Sequence, residues 1–271
     1  MTDFTPWTAR DAAGFIAVPD ERSDKYSRGV LGVVTGSDQY PGAAVLGVEA
    51  ALRTGVGMVR YLGPRLATDL VLQRRPEAVA SAGRVQAWLL GSGMDPVHRD
   101  TTLMERALAE GLPVVLDGGA LDLRSRATGP VVLTPHHGEL ARVLGADRAA
   151  IAESPAEWAL RASDELGATV LLKGHTTFIA GHGLRLKVSA APPWLATAGA
   201  GDALGGILGA LVATHSDAPA DLPRLAATAA LLHGLAAERA SSGGPFTILD
   251  LCASIPATIA ALLAPATRGT D

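Results

Sequence analysis

Of the 271 residues only one is a cysteine, Cys252. A lone thiol excludes an internal disulfide and any zinc site built from several thiolates of one chain. Aromatic residues are scarce at 4 %, and charged residues reach only 18 %, below the roughly 25 % of ordinary soluble domains. No one sign of charge dominates: the net charge is −4 and the sequence pI ≈ 6.0. That balance argues against a nucleic-acid or anionic-membrane partner. Long apolar runs are missing too, despite a mean hydropathy of +0.25. The longest, Ala203 to Ala213, is too short for a bilayer helix and follows Asp202. Met1 to Arg10 carries acid and proline without an apolar stretch, so no signal peptide is expected. The expectation is a cytoplasmic protein with no membrane partner. Apolar content with so few charges implies surface buried between the subunits of a homo-oligomer.

What is present is alternation. Residues 1–23 read as a polar N-terminal arm, and 24–271 as a single domain, since no linker rich in Pro, Gly or Ser divides it. Strands are predicted at Val30–Val34, Gly57–Leu62, Val85–Leu90, Val114–Leu116, Pro130–Leu133 and Thr169–Lys173. A further pair, Thr177–Ala180 and Leu184–Val188, is split by the Gly181-His182-Gly183 turn and suggests an antiparallel edge. Helices are predicted at Pro41–Thr54, Thr101–Glu110, Gly138–Leu144 and Pro155–Leu166, then Gly201–Ala213, Arg224–Arg239 and Leu249–Leu263. Strands that alternate with helices form βαβ units. The fold class is therefore α/β, with a mostly parallel central sheet and helices on both faces.

Chemistry concentrates after the strands. In Thr197-Ala198-Gly199-Ala200-Gly201-Asp202 the glycines let backbone approach a ligand, and a long apolar helix follows. The first turn of such a helix offers free N–H groups and a positive dipole end, an anion hole suited to phosphate. Asp202 in that turn is expected to be ionised and able to take a proton from a hydroxyl. The alternative, an N-capping acid, is the lesser reading beside these glycines. Lys173-Gly174-His175-Thr176-Thr177 closes a strand where parallel sheets bind phosphate or ribose. Gly36–Ala44, Gly91–Asp95, Asp117–Leu121 and Thr134–Glu139 end strands at the same edge, so five glycine-bearing loops converge on one crevice. The paired histidines His136 and His137 lack a third ligand at metal spacing, so a substrate contact is the better reading. His98, His182, His215 and His233 read as surface or core fillers, and Cys252 as packing.

These segments resemble the ADP-dependent NAD(P)H-hydrate dehydratases, of the ribokinase-like superfamily. The resemblance rests on Asp24–Gly29, Tyr40-Pro41-Gly42-Ala43-Ala44, Ala51–Val59, Thr134-Pro135-His136 with Gly138-Glu139, Leu172-Lys173-Gly174 and Ala196–Asp202, and covers about residues 24–264. It implies a ribokinase-like three-layer α/β/α fold. It also implies the return of NADH or NADPH hydrated on the nicotinamide ring to NAD(P)H, with ADP consumed to AMP and phosphate. Asp202 would be the base, with Gly199, Ala200 and Gly201 as the anion hole. Lys173, Gly174, His175, Thr176, Thr177 and Gly201 would bind the AMP moiety. Ala43, Gly93, His136 and Asp202 would bind the hydrated dinucleotide. Mg²⁺ would bridge phosphates without a dedicated protein cage, and the family's habit favours a tetramer. The chain departs from the pattern at Ala200 (usually Ser), at Gly119 (often Asp), at Met94-Asp95 and at His137, and no stretch is left for the epimerase domain some members carry. Two other readings use the same residues: a small-molecule kinase of the superfamily, and a nucleotide-binding homologue without catalysis.

Overall fold

The computed structural model describes residues 3–264. The end of the predicted domain, 265–271, lies outside the described residues. Nine strands form one sheet: β1 (Thr5–Pro6), β2 (Val30–Val34), β3 (Met58–Tyr61), β4 (Ala87–Leu90), β5 (Val114–Leu116), β6 (Val131–Leu133), β7 (Thr169–Leu172), β8 (Thr177–Gly181) and β9 (Leu184–Val188). Their order is β1-β9-β8-β7-β6-β5-β4-β2-β3. Neighbours are parallel except around β8, which runs against both β7 and β9. The chain steps from β2 outward to β3, then returns to place β4 on the other side of β2. That reversal is a topological switch point, where open α/β sheets leave a crevice at the strands' carboxyl ends.

The strands are near-continuous Val and Leu because both faces are covered. Along β4, Ala87 and Leu89 face one core and Trp88 and Leu90 the other. The first core is closed by α2 (Pro41–Thr54), α8 (Ala200–Thr214), α9 (Leu222–Ser241) and α10 (Ile248–Leu263). The second is closed by α4 (Thr102–Ala109), α5 (His137–Leu144), α6 (Arg148–Glu153) and α7 (Pro155–Leu166). The three-layer ribokinase-like expectation is met. Helix α8 is apolar all round because it is buried all round, from Ala203 to Ala213. It lies directly on α2: a Cβ on Gly206 would come within 2.1 Å of the Gly47 carbonyl oxygen. This backbone-to-backbone crossing fixes the start of α8 against the sheet edge.

Several features are not anticipated by the sequence, the short helix α6 among them. The leading segment joins the fold: Thr5 and Pro6 pair with Leu186 and Lys187 of β9. Phe4 is buried and stacks edge-on against Phe178, and a short helix α1 (Ala9–Ala13) follows. Between β3 and β4 lies α3 (Arg65–Arg74), whose end is tied to α2 by the buried Glu49. Burial alone would raise that carboxyl's pKa, but hydrogen bonds from Arg75, Arg53 and Arg74 hold it down at about 2.

Candidate active site

Each parallel strand ends in a loop, and the loops are stitched to one another. Gly36 N donates to the Ser92 carbonyl at 2.7 Å, Gly119 N to that of Gly91 at 3.0 Å, and Lys173 N to that of Pro135 at 2.9 Å. The loops after β2 and β4, at the switch point, touch through Gly93 and Ala43. A Cβ on Gly93, whose φ is +66°, would lie 2.3 Å from the Ala43 Cβ. These two residues, expected to bind the dinucleotide, form one small-residue floor there.

The loops after β5, β6 and β7 bring a charged cluster together. Lys173 Nζ donates to Asp117 Oδ1 at 2.9 Å and stands 3.6 Å from Glu139 Oε2. Thr134 Oγ1 donates to the same Asp117 oxygen at 2.8 Å. Burial would raise the Asp117 pKa, but the Lys173 ammonium outweighs it and the net shift is downward. Burial would likewise discharge Lys173, but Asp117 and Glu139 hold its proton and its pKa rises. Lys173 thus faces the carboxylates of Asp117 and Glu139 at the strand end where a phosphate or ribose contact is expected.

Asp202 completes the cluster from the first turn of α8. It is half-buried. Burial first, then the charges of Asp117 and Glu139, push its pKa up to about 7, with Lys173 pulling the other way. This corrects the expectation of a fully ionised carboxylate: the dipole of one helix turn does not outweigh desolvation beside two acids. A carboxyl poised near neutrality is the better proton acceptor, because it can also release the proton again.

The turn before Asp202 is left-handed at Gly199 (φ +90°), and no side chain caps the helix. Ala200 N donates to the Thr197 carbonyl at 3.4 Å, and no side chain occupies the turn's other N–H groups, which remain available to an anion. The turn forms one wall of a cleft of about 760 Å³, to which Ala200 and Gly201 contribute with His136, Lys173, Gly174, His175 and Thr177. The rest of the lining is largely apolar and includes Val188, Pro192 and Leu204. Gly199, Asp202 and Thr176 stand beside the lining rather than in it; Thr176 Oγ1 is 2.9 Å from Ser189 Oγ. His136 caps α5, its Nδ1 accepting from Gly138 N (3.0 Å) and Glu139 N (3.1 Å). With Nδ1 an acceptor, the proton of the neutral ring sits on Nε2. Because His136 and Glu139 consume the donors of α5, only the start of α8 offers bare N–H groups among these two helices.

A family model described as NAD(P)H-hydrate dehydratase matches residues 31–253. The chain belongs to that family. Over 230 residues it is 44 % identical to the bifunctional NAD(P)H-hydrate repair enzyme Nnr of Mycobacterium tuberculosis, covering 79 % of this chain and 47 % of that one. It therefore spans about half the length of this relative. The ADP-dependent (S)-NAD(P)H-hydrate dehydratase of Xanthomonas campestris is 33 % identical over 74 % of this chain and 78 % of its own. Among solved structures, an ADP/ATP-dependent NAD(P)H-hydrate dehydratase from Bacillus subtilis, co-crystallised with ATP and Mg²⁺, superposes with a TM-score of 0.87 at 26 % identity. That match covers 96 % of this chain and 99 % of the Bacillus one.

Within this member of the family, motif reading leaves two contributors unassigned. Asp117 is 4 % exposed, and its partner Lys173 lies 56 residues away in sequence, so no local pattern announces the pair. His233, taken as a filler, lies in the cleft wall. Its signal is visible only once α9 is laid against α8.

Proposed function

We propose that the chain is an ADP-dependent (S)-NAD(P)H-hydrate dehydratase, a hydro-lyase that restores hydrated NADH or NADPH. The observation that carries the reading is a carboxyl poised near neutrality in the first turn of a helix that no side chain caps, at the edge of a cleft of about 760 Å³. In this reading Asp202 accepts the proton of the hydroxyl on ring carbon C6 as its oxygen attacks the terminal phosphorus of ADP. AMP leaves with the electrons of the broken P–O bond. The N–H groups at Gly199, Ala200 and Gly201 hold the transferring phosphoryl group where negative charge develops. The ring nitrogen's lone pair then expels phosphate from C6, and loss of a proton from C5 restores the double bond. Phosphorylation matters because phosphate leaves far more easily than hydroxide.

Residues 173–177 and Gly201 hold the AMP portion, while Ala43, Gly93 and His136 hold the dinucleotide. Among the described residues no three metal-ligating side chains come together. Mg²⁺ would accompany the nucleotide's phosphates and supply charge neutralisation there, with Glu139, 3.6 Å from Lys173, among the acids that could assist. The enzyme would act in the cytoplasm as a homo-oligomer, a tetramer by family habit. The low charge content supports association, and light scattering that finds a monomer at micromolar concentration would end that part of the reading.

The test is direct. Hydrated NADH supplied with ADP should yield NADH, AMP and phosphate in equal amounts, and Asp202→Asn should lower turnover by about 10³-fold or more while nucleotide binding survives. An accumulating phosphorylated alcohol would favour a kinase. Unchanged turnover in the Asn variant would remove Asp202 from the chemistry.

A further inference from the structure

One side of the cleft is the open end of a two-stranded ribbon. β8 and β9 pair antiparallel from Gly181 and Leu184 at the turn to Thr177 and Val188, where the backbone ladder stops. Successive side chains along a strand point to opposite faces. His175, Thr177, Val188 and Ala190 all line the cleft, and Thr176 and Ser189 do not. The alternation therefore continues past the last ladder pair: one face of the ribbon is cleft wall, and Thr176 and Ser189 share the other. They stand opposite each other, one register step beyond Thr177 and Val188. Their hydroxyls, Thr176 Oγ1 and Ser189 Oγ, share a hydrogen bond of 2.9 Å in which either can be the donor. Such cross-strand hydroxyl pairs hold neighbouring strands together.

The two ends that this bond joins are held unequally. On the Thr176 side, Lys173 N donates to the Pro135 carbonyl at 2.9 Å, and Lys173 pairs with His136 as an isolated bridge. A Cβ on Gly174 would lie 3.4 Å from His137 Nε2, so this side is packed against the start of α5. The Ser189 side is looser. Among the described residues, 189–191 make no backbone hydrogen bond beyond the ladder, although Ala190 and Ala191 line the cleft. Where that wall stands relative to residues 173–177 depends on what ties it to them.

We propose that Thr176 and Ser189 form a clasp that sets the width of the cleft at its nucleotide end. Ser189 is then a positioning residue for the nucleotide, and Thr176 acts through Ser189 from behind the wall. A ribbon without the clasp has to be ordered when the ligand enters, and affinity falls by the cost of that ordering. The inference rests on the dehydratase reading only for the identity of the nucleotide.

The test is a double-mutant cycle on ADP affinity, measured by calorimetry for Ser189→Ala, Thr176→Val and the double variant. Ser189 is exposed and Thr176 half-buried, so all three should fold and melt within about 2 °C of wild type. Each single variant should bind ADP about fivefold more weakly, the scale of one net hydrogen bond, and the double variant should lose no more than either. KM for ADP should rise in step while KM for the hydrated dinucleotide stays within about twofold. Ser189→Thr, which keeps the hydroxyl, should bind as wild type does. Unchanged ADP affinity in Ser189→Ala would overturn the proposal, as would losses that add in the double variant. So would a loss confined to Thr176→Val, because Thr176 would then touch the nucleotide itself. A lower melting temperature with both KM values rising together would mark a pair that only supports the fold, and would overturn it too. If the wild type binds ADP yet leaves hydrated NADH untouched, the dehydratase reading fails while the ADP affinities still judge the clasp; a wild type that binds no ADP would overturn both.

Discussion

Asp202 links the chemistry and the stability of the site. Its pKa of about 7 places this carboxyl, the proposed base, near half-protonation at neutrality. The pH profile of kcat/KM should rise through about pH 7 on its acid side; a limb near the ordinary carboxylate value would show that Asp202 is not the group being titrated. The sign for stability is opposite. Its native pKa lies above the unfolded value, so the stabilisation is complete below about pH 4 and is lost as pH rises through about 7. Asp202→Asn should therefore melt higher than wild type at about pH 8, with the gap narrowing toward about pH 5. A gap that widened on acidification would contradict the assignment. Lys173 works on the same balance. Lys173→Met leaves Asp117 buried and unpaired, which should cost about 3–5 kcal/mol, and Asp117→Asn in the same chain should recover much of it. The activity that survives in the single Lys173→Met variant should have its acid limb at higher pH than wild type, because the charge that opposes the rise of the Asp202 pKa is gone.

At the scale of elements, the site depends on where α8 begins, and glycines set that place. The α2–α8 crossing leaves no room for a methyl group at Gly206. Gly206→Ala should destabilise by about 1–3 kcal/mol and move Asp202 with the helix, so a turnover loss beyond the stability loss is expected. Full activity in a variant with unchanged melting would show that the crossing does not set the site. This dependence also marks what sequence can and cannot reveal. β2, α2, β5, α7 and β9 are found at their predicted bounds, because proline at a first turn, glycine at an end and unbroken Val/Leu runs are local signals. β1 is missed because two residues ending in proline carry no pattern; only pairing with β9 makes them a strand. α3 is missed because just Ala67 and Val71 of it are buried, too little for a visible stripe. In the site, the five loops are legible because glycine punctuates each strand end. Asp117–Lys173 and His233 are not, because long-range packing creates those contacts.

For the whole molecule, the cleft joins both halves of the chain: its polar floor comes from β6 and β7, its cradle from α8, and its far wall from the segment after β9 and from α9. A ligand seated there should therefore stabilise the protein as one cooperative unit. ADP at about one hundred times its Kd adds about 2.7 kcal/mol to the native state, which for a chain of this size raises the melting temperature by roughly 5 °C. Asp202→Asn should show the same ADP-induced rise, because the proposed reading assigns the nucleotide to residues 173–177 and Gly201, and should show it without turnover. Gly199→Ala should behave in the opposite way. A Cβ there meets Leu46 Cδ1 at 2.5 Å on a backbone with φ +90°, so the cradle is displaced and the ADP-induced rise should shrink even where the variant remains folded. Scanning calorimetry on the three proteins, with and without ADP, separates binding from chemistry in one experiment. Loss of the ADP-induced rise in Asp202→Asn, or its full retention in Gly199→Ala, would mean that the phosphate is held elsewhere than at the start of α8.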